Sequence, residues 1–445
     1  MNDLAQSVEV RAAAPAEAGF PRLQRYYCLL ILTLVATMST LDRQIMNILL
    51  EPIRKELGLS DSQMGLLTGL AFAFVYATLC IPAARVADRW SRRKMVALAI
   101  TSYSVMTIFC GMARNGLQLF VARFGVGAGE ACGNSSGHAL VGDLFPRRER
   151  ATAMTVLMLS SPIGMALGLA FGGWALQAFG WRTAFFLVGI PGLILGPLVF
   201  FTVPEIGKGM ADGVKHAPPA QPFAQTLKAL WSSRAFPNMI FGATVTAMAA
   251  MGTMTWLPAF LARSHGMGHA AIGAALGASV GIGSILGHLF GGPLIDGLGR
   301  RDLRWHLWVP MITNPVGAVL SAVAFVAPLD YVFPLLAVQM FLAGLFTAPL
   351  IAIVMNLAPI AARATASAIL GFVMNIVGMG LGPQVIGIAS DVLKPAFGEQ
   401  SLRYALLGST ALGLIGAALY FRASLTYRAD LAMVDARNKA EAAAV

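Results

Sequence analysis

The amino-acid sequence predicts an all-α membrane protein with twelve transmembrane helices in two six-helix halves. Three observations predict it: a composition starved of charge, long apolar segments that recur along the whole chain, and basic residues that collect on alternate connections. Of 445 residues, 57% are hydrophobic and 12% charged, against about 25% charged in an ordinary soluble domain. A chain so poor in charge cannot cover itself with polar surface. Segments such as Lys94 to Ala113 and Tyr331 to Leu357 are apolar on every side, unlike the one-sided stripe of a soluble helix. They reach or exceed the roughly 20 residues that a helix needs to cross the hydrocarbon core of a bilayer.

Gly and Pro punctuation and charge clusters divide the chain into apolar segments near 26–50, 62–86, 94–113, 116–142, 151–179 and 183–203, then 235–262, 270–297, 305–327, 330–357, 365–393 and 402–422. The Pro-, Ala- and Lys-rich stretch 204–234 is the one long polar interruption and reads as a linker between halves 26–203 and 235–422, with tails 1–25 and 423–445. Lys and Arg gather at the N-terminus, between Arg85 and Lys94, between Arg147 and Arg150, through the linker, between Arg300 and Arg304, at Arg363 and from Arg422 onward. By the positive-inside rule those connections are cytoplasmic, which places both termini in the cytoplasm and the chain in the cell inner membrane. The polar N-terminal tail has no apolar run with a small-residue cleavage site, so the first segment is expected to direct its own insertion. The formal net charge of +11 is then topology and not a nucleic-acid surface. Cys28, Cys80, Cys110 and Cys132 fall in apolar segments without metal-ligand or redox spacing and read as small buried hydrophobes.

An internal repeat links the halves. After the second segment comes Ala84-Arg85-Val86-Ala87-Asp88-Arg89-Trp90-Ser91-Arg92-Arg93-Lys94, and after the eighth Gly292-Pro293-Leu294-Ile295-Asp296-Gly297-Leu298-Gly299-Arg300-Arg301. A small residue, an acid, a small residue and two bases keep the same offsets. The run from Pro146 to Arg150 after the fourth segment is echoed from Pro359 to Arg363 after the tenth. Such repeats mark transporters built from duplicated halves. The two acid-and-Arg loops resemble the signature of the major facilitator superfamily between its second and third helices and its echo between the eighth and ninth, with Ala84 where the signature usually has Gly. The resemblance implies the major facilitator fold, with Asp88, Arg89, Arg92 and Arg150 in one half and Asp296, Arg300 and Arg363 in the other forming a cytoplasmic gate. Ser161-Pro162-Ile163-Gly164 with Gly168, Gly172 and Gly173 is similar to the Gly- and Pro-rich fifth helix of proton-driven exporters, and equally suits close packing in any bundle.

Ionisable residues at membrane depth are costly and point to function. Here they are Asp42 and Arg43 in the first segment and Arg123 and Glu130 in the fourth, all in the N-terminal half. Arg123, Gly127, Glu130, Asn134 and His138 recur at helical spacing, so one face of the fourth helix carries its polar groups. Two acids and two bases on facing helices can neutralise one another, and displacing an Arg lets its acid take a proton, because burial raises a carboxylate's proton affinity while a neighbouring Arg lowers it. The pattern Gly125-Val126-Gly127-Ala128-Gly129 sits inside an apolar helix with no strand before it, which favours packing over dinucleotide binding.

The C-terminal half has no Asp, Glu, Lys or Arg between Phe236 and Leu261, between Ile272 and Leu294 or from Tyr331 through Leu357. The cavity is therefore expected to be charged on one wall and greasy on the other, lined by Asn134 and His138 on one side and by Met254, Trp256, Phe346, Phe372 and Asn375 on the other. That shape suits an amphipathic, lipid-like substrate. Leu41-Asp42-Arg43 together with Arg123-Phe124-Gly125-Val126-Gly127-Ala128-Gly129-Glu130-Ala131 and Asp143-Leu144-Phe145-Pro146 resembles the spinster family, which is similar to exporters of lysophospholipid and sphingosine-phosphate type lipids. The resemblance implies Asp42 and Glu130 as protonation sites and Arg43 and Arg123 as their holders or as head-group ligands. The helix-one Asp-Arg pair also occurs in anion:cation symporters, so an organic-acid symporter or a multidrug exporter of the same fold is the alternative. No metal, nucleotide or other cofactor is expected. Asp61, His265 and His269 are scattered loop residues without nucleophile or metal spacing, which argues against an enzyme. A monomeric, proton-coupled secondary active transporter that moves a lipid-like molecule by alternating access is the expected form.

Overall fold

The computed structural model describes residues 20–205, 227, 230–358 and 363–443, so the N-terminal tail and most of the predicted linker lie outside the described residues. Among the described residues the chain is helical with no strand. The first half consists of α1 (Arg22–Leu57), α2 (61–89), α3 (Arg92–Met112), α4 (Gly116–Leu144), α5 (147–179) and α6 (181–202); the second of α7 (Ala235–His265), α8 (His269–Gly299), α9 (Trp305–Val326), α10 (Leu329–Leu357), α11 (363–397) and α12 (Ser401–Ala443). Among the described residues, eight apolar helical stretches suffice in length and composition to cross a membrane, and two of them, Thr152–Thr202 and Ile369–Val434, each hold two consecutive helices.

Local chemistry sets the turns. Ser60 caps α2 by accepting from the Gln63 amide, and Gln63 returns the bond to the Ser60 amide, a reciprocal capping box. Gly58 ends α1 in the left-handed region at φ 65°, where a Cβ would be strained. Gly180 divides α5 from α6 at φ 82°, ψ 167°, a conformation essentially reserved for glycine. Both α2 and α11 contain a π-helical turn, at Leu66–Leu70 and Met374–Leu381, and these turns pack against each other through Gly69 and Gly380. Such bulges tend to occur at functional sites.

The predicted span 402–422 covers only half of α12, which continues as one helix to Ala443. The polar tail folds back onto its own half: buried Asp430 accepts from the Ser233 hydroxyl at 2.8 Å and from the Ala235 amide at 2.6 Å, capping α7. Arg428 reaches Asp302 at 2.7 Å. The Arg304 amide, and then the Arg304 and Arg428 guanidiniums, hold the Asp302 carboxyl below the usual carboxylate range.

Connections alternate between two ends of the bundle, so both described termini share one end, called here the terminal end. The halves meet away from it. Contacts between halves run mainly through α5 with α8 and α2 with α11, pairs that exchange under the internal repeat, with a smaller junction of α1 on α7. A Cβ on Gly277 of α8 would stand 2.8 Å from the Ala166 carbonyl oxygen of α5, and one on Gly65 of α2 would stand 2.7 Å from the Pro383 carbonyl oxygen of α11. Small residues thus let the backbones touch, as is usual where helices pack in lipid. At the terminal end, among the described residues, ion pairs form within one half: Arg25 with Glu149 at 3.1 Å, Arg92 with Asp143, Arg93 with Glu205 at 3.4 Å, and Asp302 with Arg304 and Arg428.

Replacing Gly277 by Leu is expected to wedge α5 from α8 and to cost this conformation about 1–3 kcal/mol, the usual cost of overpacking. A thermal melt of the purified protein checks this: a lower midpoint than wild type is expected, and an unchanged one would mean the junction is not close-packed.

Candidate functional site

The four membrane-embedded charges form two crossed pairs between α1 and α4. Asp42, fully buried, accepts from Arg123 Nη1 at 3.1 Å and from the Thr107 hydroxyl of α3 at 2.7 Å. Arg43 Nη1 stands 3.5 Å from Glu130 Oε2, and its Nη2 reaches the Thr40 hydroxyl at 3.4 Å. Adjacent residues on α1 therefore point to opposite partners on α4. The arrangement satisfies Coulomb's law in a low-dielectric interior, where an unpaired charge would be far more costly.

The two pairs are not equivalent. Arg123 is 1% exposed and lies with its guanidinium carbon 5.7 Å from the centre of the Phe72 ring, so the Asp42–Arg123 pair is sealed. Arg43 retains 22% side-chain exposure. Glu130 is buried, yet neither carboxylate oxygen accepts a hydrogen bond of normal geometry, although the Ser39 hydroxyl is near enough to act on its charge. The Arg43–Glu130 pair is thus looser, more exposed on the basic side and less satisfied on the acidic side.

Glycines set this geometry. A Cβ on Gly127 would meet the Phe72 carbonyl oxygen of α2 at 2.9 Å, and one on Gly129 would meet the Tyr103 amide of α3 at 2.8 Å, so the Gly125–Gly129 run is a packing surface. On α5, Gly164 and Gly168 seat the helix on Thr37 and Leu41 of α1, fixing the helix that carries Asp42 and Arg43.

At the end away from the termini lies a second charge cluster, of which sequence reasoning had set aside Asp61 as a scattered loop residue. Arg263 of α7 binds Asp61 of α2 through both terminal nitrogens, at 2.8 and 2.7 Å, and its Nε donates to Glu51 of α1 at 2.8 Å. Arg54 joins from α1, 2.9 Å from Glu51 and 3.6 Å from Asp61. Asp61 also accepts from the Ser390 hydroxyl of α11 at 2.7 Å, and Asp391 accepts from the Ser62 amide and hydroxyl at 2.8 and 2.6 Å. Glu51, Asp61 and the Arg263 side chain are each at most 5% exposed. This latch joins the halves. Its signal in the sequence was four charges, Glu51, Arg54, Asp61 and Arg263, flanking the ends of apolar segments, which loop chemistry explained just as well.

The structure separates the other expected site residues. His138 lies two turns beyond Glu130 on α4 and is partly exposed. Trp256 and Met254 were expected on a greasy cavity wall and instead are buried in the core of the closed end; the Trp256 indole donates to the Pro383 carbonyl at 2.9 Å, tying α7 to α11. Phe372 is 45% exposed, and Asn375 donates to the Gly371 carbonyl of its own helix at 2.8 Å. Arg92 bridges α3 to Asp143 and the Ala139 carbonyl of α4, Arg150 donates to the Phe145 carbonyl at 3.3 Å, and Arg300 is exposed. The side chains of Asp88, Arg89, Asn134, Asp296, Phe346 and Arg363 lie outside the described residues.

A bundle of apolar helices in two repeated halves, with charges paired inside the membrane, defines a multi-pass membrane transporter and not an enzyme. The chain belongs to the Major Facilitator Superfamily, whose family model matches residues 32–383. It is 35% identical over 408 residues to an MFS-type efflux pump of Mycolicibacterium smegmatis, covering 90% of this chain and 93% of that protein. It is 27% identical over 309 residues to the probable galactarate/D-glucarate transporter GarP of Escherichia coli K12, covering 64% and 69%. Among solved structures it is similar to a bacterial homolog of the human lysosomal transporter Spinster in an inward-facing, unoccupied conformation, with a TM-score of 0.85, 25% identity, and coverage of 92% of this chain and 99% of that one.

Replacing Arg263 by Ala would leave buried Glu51 and Asp61 with only the bases of their own half, Arg54 and Lys55, a loss of about 3 kcal/mol, the low end for a broken buried pair. The expected outcome is separation of the halves at that end, where water can resolvate both acids. In a background lacking the four native cysteines, a Cys placed at Ser390 should react with a membrane-impermeant thiol reagent at least about tenfold faster in Arg263→Ala; equal rates would rule out a latch.

Proposed function

We propose that this protein is a proton-coupled secondary transporter that moves an amphipathic, lipid-like molecule of lysophospholipid or sphingosine-phosphate type by alternating access. The crossed charge cluster carries this reading. An anionic head group that reaches the partly exposed Arg43 competes with Glu130 for the guanidinium. Deprived of its partner in a low-dielectric site, Glu130 takes a proton. Head-group binding and protonation then favour each other, and Asp42 with Arg123 keeps the rest of the cluster neutral. The acyl chain lies against the C-terminal half, whose α7, α8 and α10 carry long charge-free stretches, with Phe346 and Phe372 as candidate wall residues.

In this reading the terminal end is cytoplasmic, as the Lys and Arg distribution requires, the chain resides in the inner membrane as a monomer, and the latch holds it open to the cytoplasm. The likeness to an inward-facing Spinster homolog supports the state. Loops carrying Asp88, Arg89, Arg92 and Arg150 and, by the repeat, Asp296, Arg300 and Arg363 close the cytoplasmic side when the halves rock. The similarity to GarP favours a second reading, in which the anion at Arg43 is an organic acid and the greasy wall only packs.

Uptake by proteoliposomes separates the readings. Labelled lysophosphatidylglycerol should move faster under an imposed pH gradient, and Glu130→Gln should lower gradient-driven movement at least about tenfold, the scale of losing one catalytic proton carrier, whereas Asp42→Asn should lower it by leaving Arg123 an unpaired buried charge. Movement of labelled glucarate with no lysolipid movement would replace the substrate assignment by the second reading.

A further inference from the structure

Glu130 also faces a cavity separate from the contacts between the halves. Every residue lining it belongs to the N-terminal half. Three helices contribute parallel strings: Ser39 to Leu32 on α1, Tyr103 to Val96 on α3, and Glu130 to His138 on α4. Since α1 and α3 run away from the terminal end and α4 runs toward it, all three strings descend from the level of Glu130 toward that end. Seven or eight residues at 1.5 Å each give a depth of about 10–12 Å. The cavity measures ≈ 40 Å³, room for about three waters at 10–15 Å³ each, and three hydrogen-bonded waters bridge roughly that depth.

Its inner end is polar and unsatisfied. Both Glu130 oxygens and the Tyr103 hydroxyl are buried without a hydrogen-bond partner among the described residues, and both side chains line the cavity. Groups so placed are expected to be satisfied by water. Its other end reaches the partly exposed His138, beside the apolar side chains of Leu32, Val96 and Leu157. The charged and titratable groups that act on Glu130 are Arg43 and Asp42 of α1, Tyr103 of α3 and Arg123 of its own helix.

We propose that this cavity is a water-filled proton branch between the terminal end and Glu130, running inside the N-terminal half between α1, α3 and α4, with Tyr103 as a positioning residue that orients water against the carboxylate and His138 at its mouth. It rests on the reading that Glu130 carries the coupled proton. Protons and substrate then meet at the Arg43–Glu130 pair from different sides: the substrate through the space between the halves, the proton through one half. Substrate filling the cleft would not block proton exchange at Glu130.

Gly137 provides the test. It lines the cavity, and a Cβ built there meets nothing within 4 Å, so Gly137→Leu fills the branch without forcing backbone apart, and Gly137→Ala leaves room for water. The measurement is infrared difference spectroscopy of the purified protein saturated with lysophosphatidylglycerol, the state in which Glu130 is protonated, following the protonated-carboxyl band that Glu130→Gln abolishes and its rate of deuterium exchange. Gly137→Leu should slow exchange at least about tenfold, Gly137→Ala should match wild type, and Tyr103→Phe, which adds no bulk, should slow exchange while lysophosphatidylglycerol binding is retained. Wild-type exchange in both Gly137→Leu and Tyr103→Phe would overturn the branch while leaving Glu130 as the coupled acid. Absence of any Glu130-dependent band would overturn the coupling reading and the branch together.

Discussion

The structure depends on one constraint: a charge inside a bilayer must be neutralised where it stands. Asp42, Arg43, Arg123 and Glu130 meet it by crossing, each acid of one helix to a base of the other. That requirement fixes the rotation of α1 against α4. The glycine contacts of α4 on α2 and α3, and of α5 on α1, bring the backbones close enough for the pairs to form. One pair is sealed beneath Phe72 and the other is left half-finished, and this inequality separates a structural ion pair from one that can exchange partners.

The same constraint operates at the closed end with the opposite result. There Arg263 crosses from one half to bind Glu51 and Asp61 of the other, beside Arg54 from their own half, so the two acids are fully paired only while the halves touch. Buried ion pairs seldom add stability over apolar packing of equal volume, yet breaking one is costly. A latch of this kind therefore sets a cooperative threshold: the halves stay joined until something offsets the whole network. The central cluster lies within the N-terminal half, so in the proposed cycle it stays intact while the halves rock.

Much of this was legible in the sequence because membrane physics writes it there plainly. Span positions follow from hydropathy, and the pairing of Asp42 and Arg43 with Arg123 and Glu130 follows from their scarcity and helical spacing. Which acid takes which base did not follow, because the rotation of two helices depends on glycine contacts that one sequence does not resolve. Trp256 read as a cavity wall because its helix is apolar all round, and only the closure of α7 on α11 shows its indole bound to the Pro383 carbonyl. Arg263, Glu51 and Asp61 were invisible as a group since they are more than 200 residues apart in part and each looked like an ordinary span boundary. The continuation of α12 beyond its span was hidden for the opposite reason: its charges suit a solvated tail as well as a helix that returns to cap α7.

The central claim is that one guanidinium is shared between substrate and Glu130. It is tested most directly by titrating lysophosphatidylglycerol into purified protein in weakly buffered solution while recording pH. Proton uptake that accompanies binding and disappears in Glu130→Gln is the predicted result; binding with no proton exchange, or with the same exchange in Glu130→Gln, would contradict it.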